Sequence, residues 1–173
     1  VDFYKILLVL TDFEGSNHNG TSLPYKPSAV MQKDRGYFPF FLKHVDGKML
    51  VNNSNVEIPL GSQIVSVNGI SDRELQKRFY KYMTTDGYNM TAKTRASIEN
   101  VFGWIFPFEM GVSEFFDIEY KTPGSAQIQK IQLKSISQEE NRNRYFARHS
   151  AKLDSITDSN VQDKYSFQRI NEN

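Results

Sequence analysis

The stretch IPLGSQIVSVNG, residues 58–69, decides the predicted fold. A proline and a glycine open it as a turn, the run Gln63 to Val67 is typical of a short strand, and Asn68-Gly69 closes that strand with a tight turn. Ser71 and Glu74 follow as a capping box, in which each side chain satisfies a free amide of the first helical turn. The stretch therefore predicts a turn, a strand, a second turn and a capped helix.

A hairpin is predicted just upstream. Asp46-Gly47 separates the apolar runs Tyr37 to Val45 and Lys48 to Val51. A two-residue type I′ turn needs positive φ at both central positions, which Asp-Gly tolerates well.

A second pair of strands is predicted downstream. Apolar residues alternate with charged ones in Ser113 to Tyr120, so one face should be buried and one solvated. Thr122 to Ser125 carries Pro and Gly at the central positions of a type II turn. The apolar positions of the partner strand, Gln127 to Leu133, slip by one residue, which predicts a bulge.

Three helices are expected around these strands. The first has Phe3, Ile6, Leu7 and Leu10 on one face, at the spacing of a buried helical stripe. The capped helix should bury Leu75, Phe79 and Tyr82 or Met83, with Arg73, Gln76, Lys77 and Lys81 facing water. An inserted second helix is predicted over Thr91 to Gly103. The fold class is α+β, with a small antiparallel sheet or partial barrel.

Composition excludes several classes of protein. The 173 residues carry 21 Lys and Arg against 20 Asp and Glu, a formal charge of +1, which argues against binding along nucleic-acid phosphates. No apolar run approaches the roughly 20 residues of a membrane span. The absence of cysteine excludes thiol catalysis and Cys-based zinc sites. The histidines His18, His44 and His149 show no metal-ligand spacing, so neither a metal nor a cofactor is predicted.

Catalytic motifs are also missing from the sequence. There is no Gly-x-Ser-x-Gly elbow to expose a serine nucleophile and no glycine-rich phosphate loop. A serine–lysine dyad needs a desolvated lysine, whereas the lysines here lie mostly in polar positions. We therefore expect no catalysis by this chain alone.

The order of hairpin, residues 58–69 and capped helix resembles a PDZ-like domain. It is similar to the PDZ-like segment of the C-terminal processing or tricorn-like serine peptidases, family S41. His18 to Pro24 is loosely similar to the end of that family's first helix, and Tyr165 to Asn171 looks like the lead-in to its peptidase core. The resemblance implies a non-catalytic peptide-recognition or regulatory module that is truncated before the catalytic domain.

The resemblance also implies a binding groove between an edge strand and the capped helix, where an extended peptide or a protein C-terminus adds to the sheet. The implied peptide-binding residues are Gly36, Tyr37, Phe38, Phe40, Leu42, Leu75 and Phe79. Pro39, which lacks an amide donor, and the inserted helix both depart from the pattern. The alternative is that these rings form the core and the groove is filled by the protein itself, which leaves a docking or gating module.

The predicted organisation has three parts: a helix and loop in 1–35, the PDZ-like domain in 36–135, and in 136–173 a linker with a possible helical turn, leading to the parent's catalytic core. Like the resembled peptidases, the protein is expected outside the cytoplasm, in the periplasm or secreted. The alternative function is a self-contained interaction or carbohydrate-binding domain of a secreted or surface protein, because the chain is rich in aromatic, Asn and Ser residues.

Overall fold

The computed structural model describes residues 2–21, 35–53 and 56–157 and confirms the α+β class. The helices are α1 (Asp2–Thr11), α2 (Asp72–Tyr80), α3 (Met90–Arg95), α4 (Phe102–Met110) and α5 (Gln138–Thr157), with a π-helix (Ala96–Asn100) between α3 and α4. The strands are β1 (Arg35–Tyr37), β2 (Leu42–Val45), β3 (Lys48–Val51), β4 (Gln63–Val67), β5 (Ile70–Ser71), β6 (Phe115–Lys121), β7 (Gln129–Lys134) and β8 (Ile136–Ser137). Residues 22–34 and 165–171, which contribute to the family resemblance, lie outside the described residues.

The main sheet is antiparallel, in the order β2-β3-β4-β6-β7, and β5 pairs with β4. Strands β1 and β8 form a separate two-stranded ribbon. In this order β2 and β7 are the two edges of the main sheet, and of the residues predicted to bind peptide only Leu42 lies on β2.

The predicted turns are confirmed by their backbone angles. Asp46 and Gly47 have φ of 49° and 75°, and Asn68 and Gly69 have φ of 50° and 75°. Both pairs occupy the left-handed region that a type I′ hairpin requires. In the turn after β6, Gly124 has φ of 77°, and the amide of the next residue donates to the Thr122 carbonyl at 3.0 Å.

The prediction of a bulge in β7, the strand that pairs with β6, is wrong. Strands β6 and β7 pair without interruption from Phe115 and Lys134 to Tyr120 and Gln129. The apolar pattern slips because Ile128 precedes β7 and is exposed, rather than because a residue is inserted. The irregular pairing lies instead between β4 and β6, near Ile64 and Ser66.

The first helix is confirmed, but its predicted buried face is wrong. Tyr4 and Leu8 face the core, and the Tyr4 ring packs edge-on against Phe108 at 5.7 Å. Three of the four stripe residues are largely exposed: Phe3 at 72%, Ile6 at 59% and Leu10 at 59%. The helix carries apolar residues on two faces, and spacing alone does not say which of them meets the protein.

The capped helix α2 forms as predicted. The Ser71 hydroxyl accepts a hydrogen bond from the Glu74 amide at 3.3 Å, and Leu75 and Phe79 are fully buried. Gln76 was expected to face water but is buried, and its side-chain amide donates a hydrogen bond to the Gly47 carbonyl at 3.5 Å. This contact brings α2 close to the turn at the end of β2.

Two segments differ in extent from the prediction. Residues 91–103 are not one helix: the π-helix interrupts them, and α4 continues to Met110 with Pro107 inside it. The region expected to be a linker, 136–173, begins with strand β8, which pairs with β1, and continues into the 20-residue helix α5. Its first turn is acidic, with Glu139 and Glu140, as suits a helix N-terminus.

Candidate functional site

Strand β2 has one side that β3 leaves unpaired. Val45 and Lys48 flank the two-residue turn, so they form the hydrogen-bonded pair that closes the hairpin, and the next pair, His44 and Met49, does not bond across the strands. The backbone amide of His44 therefore points away from β3. This is the kind of free strand edge to which an extended peptide can add.

The inserted helix, defined here as residues 90–100 (α3 and the π-helix), lies between β2 and α2 and contacts both. On the α2 side, the Thr94 hydroxyl donates to the Tyr80 hydroxyl at 3.0 Å. Ile98 is buried at 1% exposure within the hydrophobic core. The space between edge strand and capped helix, which the family resemblance marks as a groove, is thus filled by the chain itself.

Glu99 fixes the inserted helix to the edge of β2. One carboxylate oxygen, Oε2, lies 2.7 Å from the Lys43 ammonium, and the other, Oε1, accepts the outward amide of His44 at 3.3 Å. The Arg95 Nε lies 3.6 Å from that same Oε1. Glu99 therefore occupies the backbone donor that a peptide carbonyl would need.

The environment keeps Glu99 ionised. Burial acts to raise its pKa, but hydrogen bonds from Lys43 and the His44 amide, together with the charges of Lys43 and Arg95, outweigh burial and hold the pKa below 4.5. Sequence analysis did not find this contact. The i,i+4 spacing of Arg95 and Glu99 was visible, but nothing in the sequence indicates that the carboxylate meets a strand about 55 residues away.

The residues predicted to bind peptide do not line an open groove. Six of their side chains are at most 4% exposed: Tyr37, Phe38, Phe40, Leu42, Leu75 and Phe79. The Phe38 ring packs against Phe40 at 4.6 Å and Phe102 at 4.9 Å, and Phe79 meets Phe102 at 5.2 Å. These rings form the aromatic part of the core, which was the alternative interpretation of the sequence.

Gly36 and Pro39 lie in residues 36–39, which the family resemblance implies as the loop that holds a peptide's terminal carboxylate, and this loop is also covered. Gly36 has φ of 127°, and a Cβ there would lie 2.9 Å from Val112 Cγ1. Arg144 of α5 donates to the Pro39 carbonyl at 2.7 Å. The break at 38–41 also divides the predicted strand Tyr37 to Val45 into β1 and β2, since a proline cannot donate to a strand ladder.

A second buried polar contact joins α2 to α4. The Tyr82 hydroxyl donates to Glu109, whose other oxygen lies 2.7 Å from Lys81 Nζ. Burial raises the pKa of Tyr82, and its bond to Glu109 raises it further. Burial also acts to raise the Glu109 pKa, but the hydrogen bonds from Lys81 and Tyr82 outweigh it and leave the pKa below 4.5.

One cluster joins a hydroxyl, a carboxylate and an amine. The Ser66 hydroxyl donates to Glu119 Oε2 at 2.8 Å, and Glu119 Oε1 lies 2.7 Å from Lys130 Nζ. These side chains line a shallow cavity of about 450 Å³ on the outer face of the sheet. The hydrogen bond and charge of Glu119 raise the pKa of Lys130, so this amine is a poor base for activating Ser66. The cluster fits cross-strand pairing better than catalysis.

Residues 2–21, 35–53 and 56–157 contain neither a cluster of metal ligands nor a candidate membrane span. No group of three or more His, Asp or Glu side chains in these ranges is placed to hold a metal ion. Nor does any helix there combine the length and the apolar character needed to cross a bilayer.

Comparisons with known proteins give limited similarity. No protein-family model and no curated protein matches the chain. Among solved structures, the chain is similar to mature CPAF complexed with lactacystin, with 13% identity and a TM-score of 0.48 over 76% of this chain and 24% of that chain. A second structure of mature CPAF gives 14% identity and a TM-score of 0.38 over 58% of this chain and 19% of that chain.

The chain thus spans about a quarter of the length of the CPAF chain that it matches. Both TM-scores lie below 0.5, so neither similarity assigns a function to this chain. Neither membership of the S41 family nor a PDZ-like role follows from this similarity.

Proposed function

We propose that this chain is a non-catalytic, PDZ-like peptide-recognition or regulatory module of an S41-type serine peptidase, and that its groove is closed by the inserted helix. The observation that carries the proposal is the Glu99 carboxylate on the outward amide of His44. That amide lies on an edge strand, at the place where strand addition would form its backbone bonds. Its partners are then an extended peptide or protein C-terminus and the catalytic core of the parent peptidase.

Closure lowers the affinity for a peptide without abolishing binding. Release of the inserted helix exposes Ile98, which is 1% exposed in the closed form. Burial of one such side chain is worth roughly 1.5–3 kcal/mol. Since 1.4 kcal/mol corresponds to a factor of ten, the closed state weakens apparent peptide affinity by roughly ten- to one-hundred-fold.

The test is a titration of short peptides with free C-termini into the full chain, followed by backbone amide NMR. We expect shifts to be concentrated at Lys43 and His44 in β2 and at Ile98 and Glu99 in the inserted helix. A peptide that binds elsewhere would leave these amides unchanged. The absence of any shift at millimolar peptide, in the wild type and in the opened variant described next, would refute peptide recognition.

The opened variant is Ile98→Ala, which weakens the packing of the inserted helix. If closure competes with the peptide, this variant binds peptide about tenfold more tightly. Ile128→Ala is the matched control, because Ile128 is 47% exposed and precedes the opposite edge strand. Equal affinities of the two variants would argue against a gating role for the inserted helix.

The proposal assigns bond cleavage to the parent's catalytic core rather than to this chain. A fluorogenic peptide assay on the purified chain tests this assignment, and we expect no turnover. Ser66→Ala is the informative variant, because Ser66 is the hydroxyl bonded to Glu119 beside Lys130. Turnover that Ser66→Ala abolishes would overturn the non-catalytic assignment.

One further part of the proposal comes from the family resemblance. The protein is placed outside the cytoplasm, which fractionation of cells that express the full gene would test. The alternative, a carbohydrate-binding domain, calls for a flat platform of exposed rings. Among the described residues, the exposed neighbours Tyr145 and Phe146 meet at 82° and form no such platform.

A further inference from the structure

The carboxylate of Glu99 occupies a built site for an anion. Lys43 Nζ lies 2.7 Å from one oxygen, and the His44 amide and Arg95 Nε lie 3.3 Å and 3.6 Å from the other. Two cations and one backbone donor from different elements therefore converge on one carboxylate. Such charge-assisted hydrogen bonds are stronger than those between neutral groups.

The cationic side chains of this site are more exposed to solvent than its occupant is. The Glu99 side chain is 13% exposed, whereas the side chains of Lys43 and Arg95 are 42% and 60% exposed. A second carboxylate can therefore approach the two cations from outside. The backbone of a peptide that carries it cannot bond the His44 amide until Glu99 has left.

A peptide that adds to β2 must displace Glu99, and the displacement leaves the Lys43 charge without its partner. A neutral peptide restores the backbone bond to His44 but leaves that charge unpaired. A peptide with an acidic side chain beside Lys43 restores both. The site thus favours one ligand chemistry over another.

We propose that Lys43 and Arg95 form a carboxylate subsite beside the His44 amide, that its ligand is an acidic side chain of an extended peptide whose backbone bonds that amide, and that Glu99 is the internal competitor for both contacts. This inference rests on the proposed function and adds to it a preference for acidic peptides. It also gives the inserted helix a chemical role, because the helix supplies the group that imitates the ligand.

The test compares two short peptides that differ only by Glu or Gln at one central position, both of them titrated into the full chain. Glu99→Gln keeps the shape of the side chain and removes its charge. We expect this variant to bind both peptides about tenfold more tightly than the wild type does, because each must displace Glu99, and we expect wild type and variant alike to prefer the Glu peptide by about tenfold. Lys43→Met should remove the preference for the Glu peptide.

Several outcomes would overturn the inference. No gain for either peptide in Glu99→Gln would show that Glu99 does not compete with them. Equal affinities of the wild type for the two peptides, or a preference that survives in Lys43→Met, would show that charge at this site does not select the ligand. Peptide binding at β2 with no preference for the Glu peptide over the Gln peptide would overturn the inference but still support the proposed function. If neither peptide binds any variant, both fail together. Arg95→Gln, at a largely exposed position, provides a second variant should Lys43→Met fold poorly.

Discussion

The sharpest prediction concerns Phe38, which the family resemblance assigns to peptide binding and the structure places in the core. The substitution is Phe38→Ala. The ring is 0% exposed and lies within 5.1 Å, centroid to centroid, of the rings of Phe40, Phe102 and Phe116. Replacement of such a buried ring by alanine typically costs about 3–5 kcal/mol, from lost transfer free energy and the cavity that remains.

That cost is a large part of the total stability, which for a domain is about 5–15 kcal/mol. In a chain of this length it should lower Tm by roughly 6–20 °C. The assay is urea unfolding followed by the fluorescence of Trp104, the one tryptophan of the chain, whose ring stacks on Phe108 at 5.3 Å. Phe13→Ala is the matched control, since Phe13 is 89% exposed and its loss should change stability by less than about 0.5 kcal/mol.

An open groove lined by Phe38 would give a different result. If Phe38 lined an open groove, Phe38→Ala would weaken peptide binding and leave unfolding almost unchanged. A loss of less than about 1 kcal/mol, close to that of Phe13→Ala, would therefore refute the placement of Phe38 in the core.

Three further predictions follow from single contacts. The folded state lowers the pKa of Glu109 below 4.5, so the carboxylate stabilises the fold above pH 4.5, and this stabilisation is lost as pH falls through the folded pKa. When the free energy of unfolding is measured against pH, Glu109→Gln should lose less stability in acid than the wild type does. Gly36→Ala should destabilise the fold by about 1–3 kcal/mol in urea unfolding, because φ is 127° and the new Cβ meets Val112, whereas Gly20→Ala has open space and should cost less. Ser71→Ala removes the cap of α2 and should cost about 1 kcal/mol by thermal unfolding, which a loss below the error of measurement would contradict.

Local chemistry in the sequence was sufficient to predict the turns and the capped helix. Asp46-Gly47 and Asn68-Gly69 adopt positive φ, and Ser71 caps α2, because each of these features depends on residues close together in the chain. The alternation in β6 was equally reliable, since Phe116 and Ile118 are buried between exposed neighbours.

The predictions that were wrong, and the contacts that were not predicted, concern features that depend on tertiary packing. The face of α1 that is buried depends on where Phe108 lies, and Phe108 is about a hundred residues away in sequence. The contact of Glu99 with Lys43 and His44 likewise joins elements that only the fold brings together. The family resemblance predicted a groove between an edge strand and the capped helix, but it could not show that the inserted helix lies between β2 and α2.

The two edges of the main sheet are protected by different means, and this difference bears on the proposed gating. Strand β7 carries Lys130 and Lys134, and charged side chains of this kind discourage edge-to-edge pairing. Strand β2 is covered by the inserted helix. If protection were the only need, charges on β2 would suffice, as they do on β7.

The contacts of the inserted helix also differ between its two sides. Toward the core it is held by buried apolar groups, Ile98 and the adjoining Phe102, whereas toward β2 it is held by the carboxylate of Glu99. A carboxylate can be replaced by another carboxylate at little cost, while a packed core cannot be exchanged so easily. Release therefore begins on the β2 side with an exchange of carboxylates, and the packing of Ile98 then sets the cost of moving the helix away. This asymmetry is what a gate requires and a permanent cover does not.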